Sequence, residues 1–136
     1  MDTVALDTSV SVPHLMKNAE HHRAVSDRLR DLDCRLTHQS LAETYAVLTR
    51  LPGDARLTAQ DAATLIDESF GKPALLAPSD AGTIHDVLSQ AGISGGATYD
   101  GVTALAARKH RLRLVTRDAR AIATYRALGV DLEVLG

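Results

Sequence analysis

Four acidic residues, Asp7, Glu43, Asp100 and Asp118, stand where surface decoration explains them poorly. Asp7 directly follows the apolar run Val4-Ala5-Leu6. The other three lie early in helix-like segments, and three and four residues on they meet Ala46 and Val47, Thr103 and Ala104, and Ala121 and Ile122, not a basic side chain. Glu20 and Asp27, by contrast, have Arg23 and Arg30 three residues on, the spacing of neighbours on one helix face. An acid beside an apolar face and without a local cation needs a partner from elsewhere in the fold. Four carboxylates in one pocket repel one another, at roughly 3 kcal/mol per pair for a separation of about 5 Å and an effective dielectric near 20. Protons or a hard cation must neutralise them. Oxygen-only donors with open coordination positions suit Mg²⁺ or Mn²⁺ better than zinc. One or two such ions polarise a phosphate, lower the pKa of a bound water and steady the leaving oxygen, which is metal-assisted hydrolysis of a phosphoester. Taken singly, each acid has an ordinary explanation. Asp100 and Asp118 complement a helix dipole, Asp7 serves as a turn residue, and Glu43 is a helix former. The case for chemistry rests on whether the fold brings them together.

The elements that must position them alternate along the chain. Val4–Leu6, Cys34–Thr37, Ala74–Ala77, Leu112–Val115 and Val130–Leu135 read as strands. Between them, helical spacing carries Val25, Leu29 and Leu32, then Ser40 to Leu51, ended by Pro52-Gly53. Thr58 caps a helix whose inner face is Ala62, Leu65, Ile66 and Phe70. Ser79-Asp80 opens a helix with Ile84, Val87 and Leu88, stopped by Gly92, and Asp80 fits an ordinary N-cap there. Further helices run from Thr98 to His110 and from Asp118 to Leu128, the latter closed by Gly129. Strand–helix alternation predicts an α/β fold, a mainly parallel sheet with helices on both faces. Right-handed crossovers then set every strand-to-helix turn at one edge, outside the carboxyl ends of the strands, where ligands of such folds bind. All four acids fall at that edge.

Composition bounds the rest. At 136 residues, 45% hydrophobic and 24% charged, the chain makes one domain over 1–136 with no repeat, linker or low-complexity tract. The single Cys34 excludes an intramolecular disulfide and a multi-cysteine metal site, as expected of a cytoplasmic protein. The run Met1–Asp7 is acidic and too short in apolar length for a signal peptide, and no stretch is apolar enough to span a membrane. The net charge of −2 conceals an asymmetry, because basic residues dominate from residue 101 onward: Arg108, Lys109, Arg111, Arg113, Arg117, Arg120 and Arg126. Such a surface could face phosphates. With three Tyr, one Phe and no Trp, recognition through aromatic stacking is not expected.

Other chemistries lack their residues. No Gly-x-x-x-x-Gly-Lys-Ser/Thr loop, no Gly-x-Gly-x-x-Gly after the first strand and no Gly-x-Ser-x-Gly elbow occurs. His21-His22 is adjacent and lacks the helical spacing of a chelating pair. A haloacid-dehalogenase-like phosphatase needs a second aspartate two residues after Asp7, where Ser9 stands. A receiver domain needs an acidic pair after the first strand and a late lysine, and the only lysine beyond residue 72 is Lys109, ahead of its strand.

Four ordered blocks resemble a known family. They are Leu6-Asp7-Thr8-Ser9-Val10; Leu41-Ala42-Glu43-Thr44-Tyr45 with Leu48 to Pro52; Tyr99-Asp100-Gly101-Val102-Thr103-Ala104-Leu105-Ala106; and Val115-Thr116-Arg117-Asp118-Ala119-Arg120-Ala121. In order, spacing and overall length the chain resembles the PIN-domain ribonucleases, specifically the VapC-type toxins of bacterial toxin–antitoxin pairs. The resemblance implies a three-layer α/β/α sandwich, a homodimer, Mg²⁺-dependent RNA cleavage with Mn²⁺ able to substitute, and a cognate antitoxin. It implies Asp7 and Asp100 as the primary metal ligands and catalytic residues, completed by Glu43 and Asp118, with Thr8 or Ser9 and Thr116 as supporting hydroxyls. RNA phosphates would then be held by Arg117, Arg120 and Arg113. The rival reading is a non-catalytic RNA-binding or assembly module whose acids hold a structural ion.

Overall fold

The computed structural model describes residues 2–136; Met1, where the predicted domain and the acidic N-terminal run begin, lies outside the described residues. Four strands form one sheet in the order β2-β1-β3-β4: β1 (Thr3–Leu6), β2 (Asp33–Leu36), β3 (Arg113–Thr116) and β4 (Leu132–Val134). Every pairing is parallel, with Leu6 beside Leu36 on one side and Val115 on the other. All carboxyl ends therefore share one edge, as the alternation predicts.

The pleat decides the layers. Val4, Leu6, Cys34, Leu36 and Val115 point into a core built with α1 (Thr8–Leu15), α2 (His22–Leu29), α3 (His38–Arg50) and α4 (Ala59–Ser69). Ala5 and Leu114 point the other way, under α6 (Ile84–Gln90), α7 (Ala97–Lys109) and α8 (Ile122–Ala127), while the single-turn α5 (Pro78–Ala81) precedes α6. The result is a three-layer α/β/α sandwich. Helix α7 is buried from Gly101 to Ala107, and Gly101 permits its approach: a Cβ there would lie 2.6 Å from Leu88 Cδ2.

Several predicted elements change. Ala74–Ala77 contributes one isolated bridge, Thr37 to Ala74, in place of a fifth strand. Pro73 has no N–H to give a ladder, and Pro78 already starts α5. Ser79 and Asp80 lie inside that short helix, so Asp80 is no N-cap; it pairs with Lys109 at 3.3 Å. The helix predicted from Asp118 begins instead as a 3-10 turn, Ala119–Ala121, before α8. Local pattern does not predict helix α1, because Thr8, Val10 and Val12 are β-branched, Ser9 and Ser11 are poor helix formers and Pro13 follows. It forms because Asp7 caps it and because α2 and α3 cover it.

Candidate active site

The site is built on Asp7. Its N–H donates to the Val115 carbonyl at 3.2 Å, so the β1–β3 ladder runs one residue past the end of β1. Asp7 is 6% exposed, and its carboxylate accepts four hydrogen bonds. Oδ1 takes the Ser9 N–H at 3.0 Å, which caps α1, and the Ser9 hydroxyl. Oδ2 takes the Thr116 hydroxyl and the Tyr125 hydroxyl, the latter at 2.8 Å. A carboxylate has about four lone-pair sites, so Asp7 is saturated. Burial raises its pKa above the ordinary value, and the bonds from Ser9, Thr116 and Tyr125 pull against that rise.

These hydroxyls also organise their surroundings. Ser9 Oγ accepts the Arg117 N–H at 2.8 Å and Thr116 Oγ1 accepts the Asp118 N–H at 3.0 Å, which fastens the turn after β3 to Asp7. Thr8 donates to Glu43 Oε2 at 2.8 Å, while Gln39, one helical turn earlier on α3, donates to Oε1 at 2.9 Å. Ser11 and Thr44, both fully buried, share a hydroxyl–hydroxyl bond of 2.7 Å that clips α1 to α3 beneath Glu43. Thr8, Ser9 and Thr116 thus each donate to one of the four acids.

Asp118 is half-buried and accepts the Arg120 N–H on Oδ1 at 3.0 Å, capping its own turn. Asp100, in the first turn of α7, is also half-buried. Its pKa is pushed up to about 6, first by burial and then by the negative charges of Asp7, Asp118 and Glu43. The four acids therefore share one electrostatic neighbourhood. Among the described residues none of them is ion-paired; Arg35 pairs with Asp33, Lys109 with Asp80, and Arg28 and Arg113 with Glu133, all outside the site.

The donor set can be tested against a metal. It is all oxygen, which matches a hard divalent cation. Among the described residues no three His, Cys, Asp or Glu side chains close around an ion-sized space, so this is no preformed cage of the zinc kind. A divalent ion there would keep several of its own waters and take only one or two carboxylates.

The arginines divide. Arg117 is half-buried and Arg120 exposed, on either side of Asp118, and neither is ion-paired among the described residues. Arg113 sits at the amino-terminal start of β3, away from the carboxyl edge, with Nε 3.0 Å from Glu133. It does not join the site, because its charge is already matched. Two residues escape the sequence reading. Gln39 is signalled only by its i,i+4 spacing to Glu43. Tyr125 shares the spacing of Ala121 and Leu128, which turns its ring inward, and a buried phenol needs a partner for its hydroxyl.

Comparison with known proteins gives this geometry a lineage. The sequence profile described as the PIN domain matches residues 4–127. Ribonuclease VapC27 of Mycobacterium tuberculosis is 47% identical over 131 residues, 96% of either chain. Among solved structures, VapBC2 from Rickettsia felis, bound to a DNA fragment from its promoter, superposes with a TM-score of 0.65 at 16% identity, covering 98% of this chain and 99% of that one. VapBC-5 from M. tuberculosis, a member of the VapBC family of toxin–antitoxin systems, gives 0.56 at 17% identity over 99% and 98%. The likeness to the solved structures is one of fold; the likeness to VapC27 extends through sequence along almost the whole chain. With Asp7, Glu43, Asp100 and Asp118 gathered at the carboxyl edge of its sheet, the chain belongs to the PIN-domain family, in its VapC-type branch.

Proposed function

We propose that the chain is a Mg²⁺-dependent endoribonuclease, with Mn²⁺ able to substitute, acting as the cytoplasmic toxin of a toxin–antitoxin pair. One observation carries the reading: the pKa of Asp100 is raised by burial and in part by the charges of three other acids, and among the described residues none of the four makes an ion pair. RNA as substrate is supported by the 47% identity to a protein named a ribonuclease, and a cognate antitoxin by the shared fold with VapBC-5. A homodimer is part of the same proposal, on the family resemblance. Among the described residues no helix is long and apolar enough to cross a membrane.

Asp7 and Asp100 would hold the ion, with Asp118 binding directly or through water. When bound, the ion supplies a Lewis acid at a phosphate oxygen and a water of lowered pKa. Glu43 orients or deprotonates the attacking water. Both its oxygens are held, by Thr8 from α1 and by Gln39 from its own helix, so its direction is fixed before substrate arrives. In-line attack breaks one phosphodiester bond and leaves the phosphate on one product end. Arg117 and Arg120 offer guanidinium groups to the RNA backbone.

The rival is a non-catalytic RNA-binding or assembly module whose acids hold a structural ion, and the hydroxyls that orient Asp7 would serve such an ion equally. Cleavage of total bacterial RNA by purified, antitoxin-free protein separates the two. The expected result is discrete fragments with Mg²⁺ or Mn²⁺, lost with EDTA and restored by excess Mg²⁺. A rise in melting temperature with Mg²⁺ and no cleavage by folded protein would establish the module instead.

A further inference from the structure

We propose that Tyr125 is a positioning residue for Asp7: its hydroxyl holds Oδ2 from inside the core and so fixes the direction of the carboxylate that would take a divalent cation. The inference rests on Asp7 being an ion ligand. Its starting point is that Asp7 accepts four hydrogen bonds, so an ion can bind only if one donor withdraws. The four donors differ in their freedom to do so. The Ser9 N–H is fixed by the cap of α1. Thr116 and Tyr125 have no solvent exposure, and the Tyr125 hydroxyl has no other partner among the described residues. The Ser9 and Thr116 hydroxyls lie 3.3 Å apart and either can turn to donate to the other, Ser9 while still accepting from the Arg117 N–H and Thr116 from the Asp118 N–H. Whichever turns, one Asp7 oxygen loses a donor with no hydrogen-bonding group left unpaired, and the Tyr125 hydroxyl keeps its hold on Oδ2. Without the Tyr125 hydroxyl, Oδ2 keeps at most one donor, and the carboxylate gains freedom to turn about its last torsion.

Tyr125→Phe keeps the ring in its core of Leu88, Leu105 and Leu128 and removes only the bond. Mn²⁺ binding, followed by calorimetry and by the electron paramagnetic resonance of the bound ion, should weaken about tenfold, within the range for partners that orient a metal ligand. The Mn²⁺ spectrum should broaden, kcat should fall by a similar factor, and KM for RNA should hold, since Tyr125 is buried away from substrate. Binding and kcat within about twofold of the parent, with only the melting temperature lowered, would overturn the inference and leave Tyr125 a core hydrogen bond. Parent protein that binds no Mn²⁺ would overturn it together with the reading of Asp7 as a ligand. A measurement on unmutated protein guards against a variant that fails to fold. In chain labelled with 3-fluorotyrosine, the Tyr125 fluorine resonance is assigned by elimination through Tyr45→Phe and Tyr99→Phe, both at exposed positions. It should shift in step with Mg²⁺ binding; a resonance that stays still while calorimetry records binding rejects the proposal.

Discussion

The two ends of the sheet treat their carboxylates in opposite ways. At the amino-terminal end, Asp33 opens β2 and accepts on one oxygen from the Thr3 hydroxyl at 3.2 Å and from Arg35 Nε and Nη2 at 3.1 and 3.0 Å. At the carboxyl end, Asp7 also accepts hydroxyls, yet no guanidinium joins them, and Asp100 stands half-buried among three like charges. Hydroxyls orient a carboxylate without cancelling its charge; arginines do both. The carboxyl edge therefore keeps an uncancelled negative field on a rigid frame, which is what an incoming cation requires.

Removing the charge at the centre of that frame should have the largest effect. Asp7→Asn is expected to lower RNA cleavage by more than about 100-fold, beyond what the loss of an outer partner costs. The fold should survive. The amide oxygen can still cap α1 through the Ser9 N–H, and the amide nitrogen can donate to the Thr116 hydroxyl, whose proton can turn to Ser9; the Tyr125 hydroxyl loses its acceptor, so Tm should fall by a few degrees. Cleavage of total RNA and the circular dichroism of the variant check both halves. Retained activity would end the distinction between the two ends of the sheet.

Asp100 sharpens the comparison through pH. Its pKa in the folded chain, about 6, lies above the 3.8 of an ordinary aspartate. Between those values the folded protein holds a proton that the unfolded chain has released, so metal-free stability should fall as pH rises across that window. The raised pKa of Asp7 adds to the same slope. Asp100→Asn should remove its part of the slope and melt higher than the parent at pH 7. The group is half-exposed, so after allowance for solvent screening the gain is on the order of 1 kcal/mol, or about 3–5 °C in Tm. Thermal melts at pH 4, 5, 6 and 7 in EDTA test the sign, and a parent that grows more stable across that range contradicts it. With Mg²⁺ present the parent should recover and the variant should not.

Much of this contrast was legible in the sequence, and the losses have physical causes. Parallel topology follows from alternation, and Leu6-Asp7 and Val115-Thr116 sit at strand ends because an apolar run stops there. What local pattern could not show is dependence on tertiary partners. Helix α1 owes its existence to a cap and to its neighbours, against the propensity of its own residues. The segment Ala74–Ala77 looks like a strand until its flanking prolines are weighed against the ladder it must join. Asp80, set aside as a cap, is in fact neutralised by Lys109, a pairing across 29 positions that no spacing rule reaches. Arg113 looked free for the same reason. Tyr125 and Asp7, 118 positions apart, meet only once the sheet and α8 are assembled.

The smallest expected effect belongs to the other end. Asp33→Asn deletes the charge that Arg35 pairs with, at a site where both side chains are partly exposed. Such a pair contributes about 0.2–1 kcal/mol. The amide oxygen can still accept from Thr3 or Arg35, so Tm should fall by no more than about 4 °C. Cleavage should stay within about twofold of the parent, because the residue stands at the opposite end of β2 from the four acids. If Asp33→Asn instead abolished cleavage while the protein stayed folded, charge at the amino-terminal end would be coupled to the reaction. The uncancelled field at the carboxyl edge would then no longer explain the activity on its own.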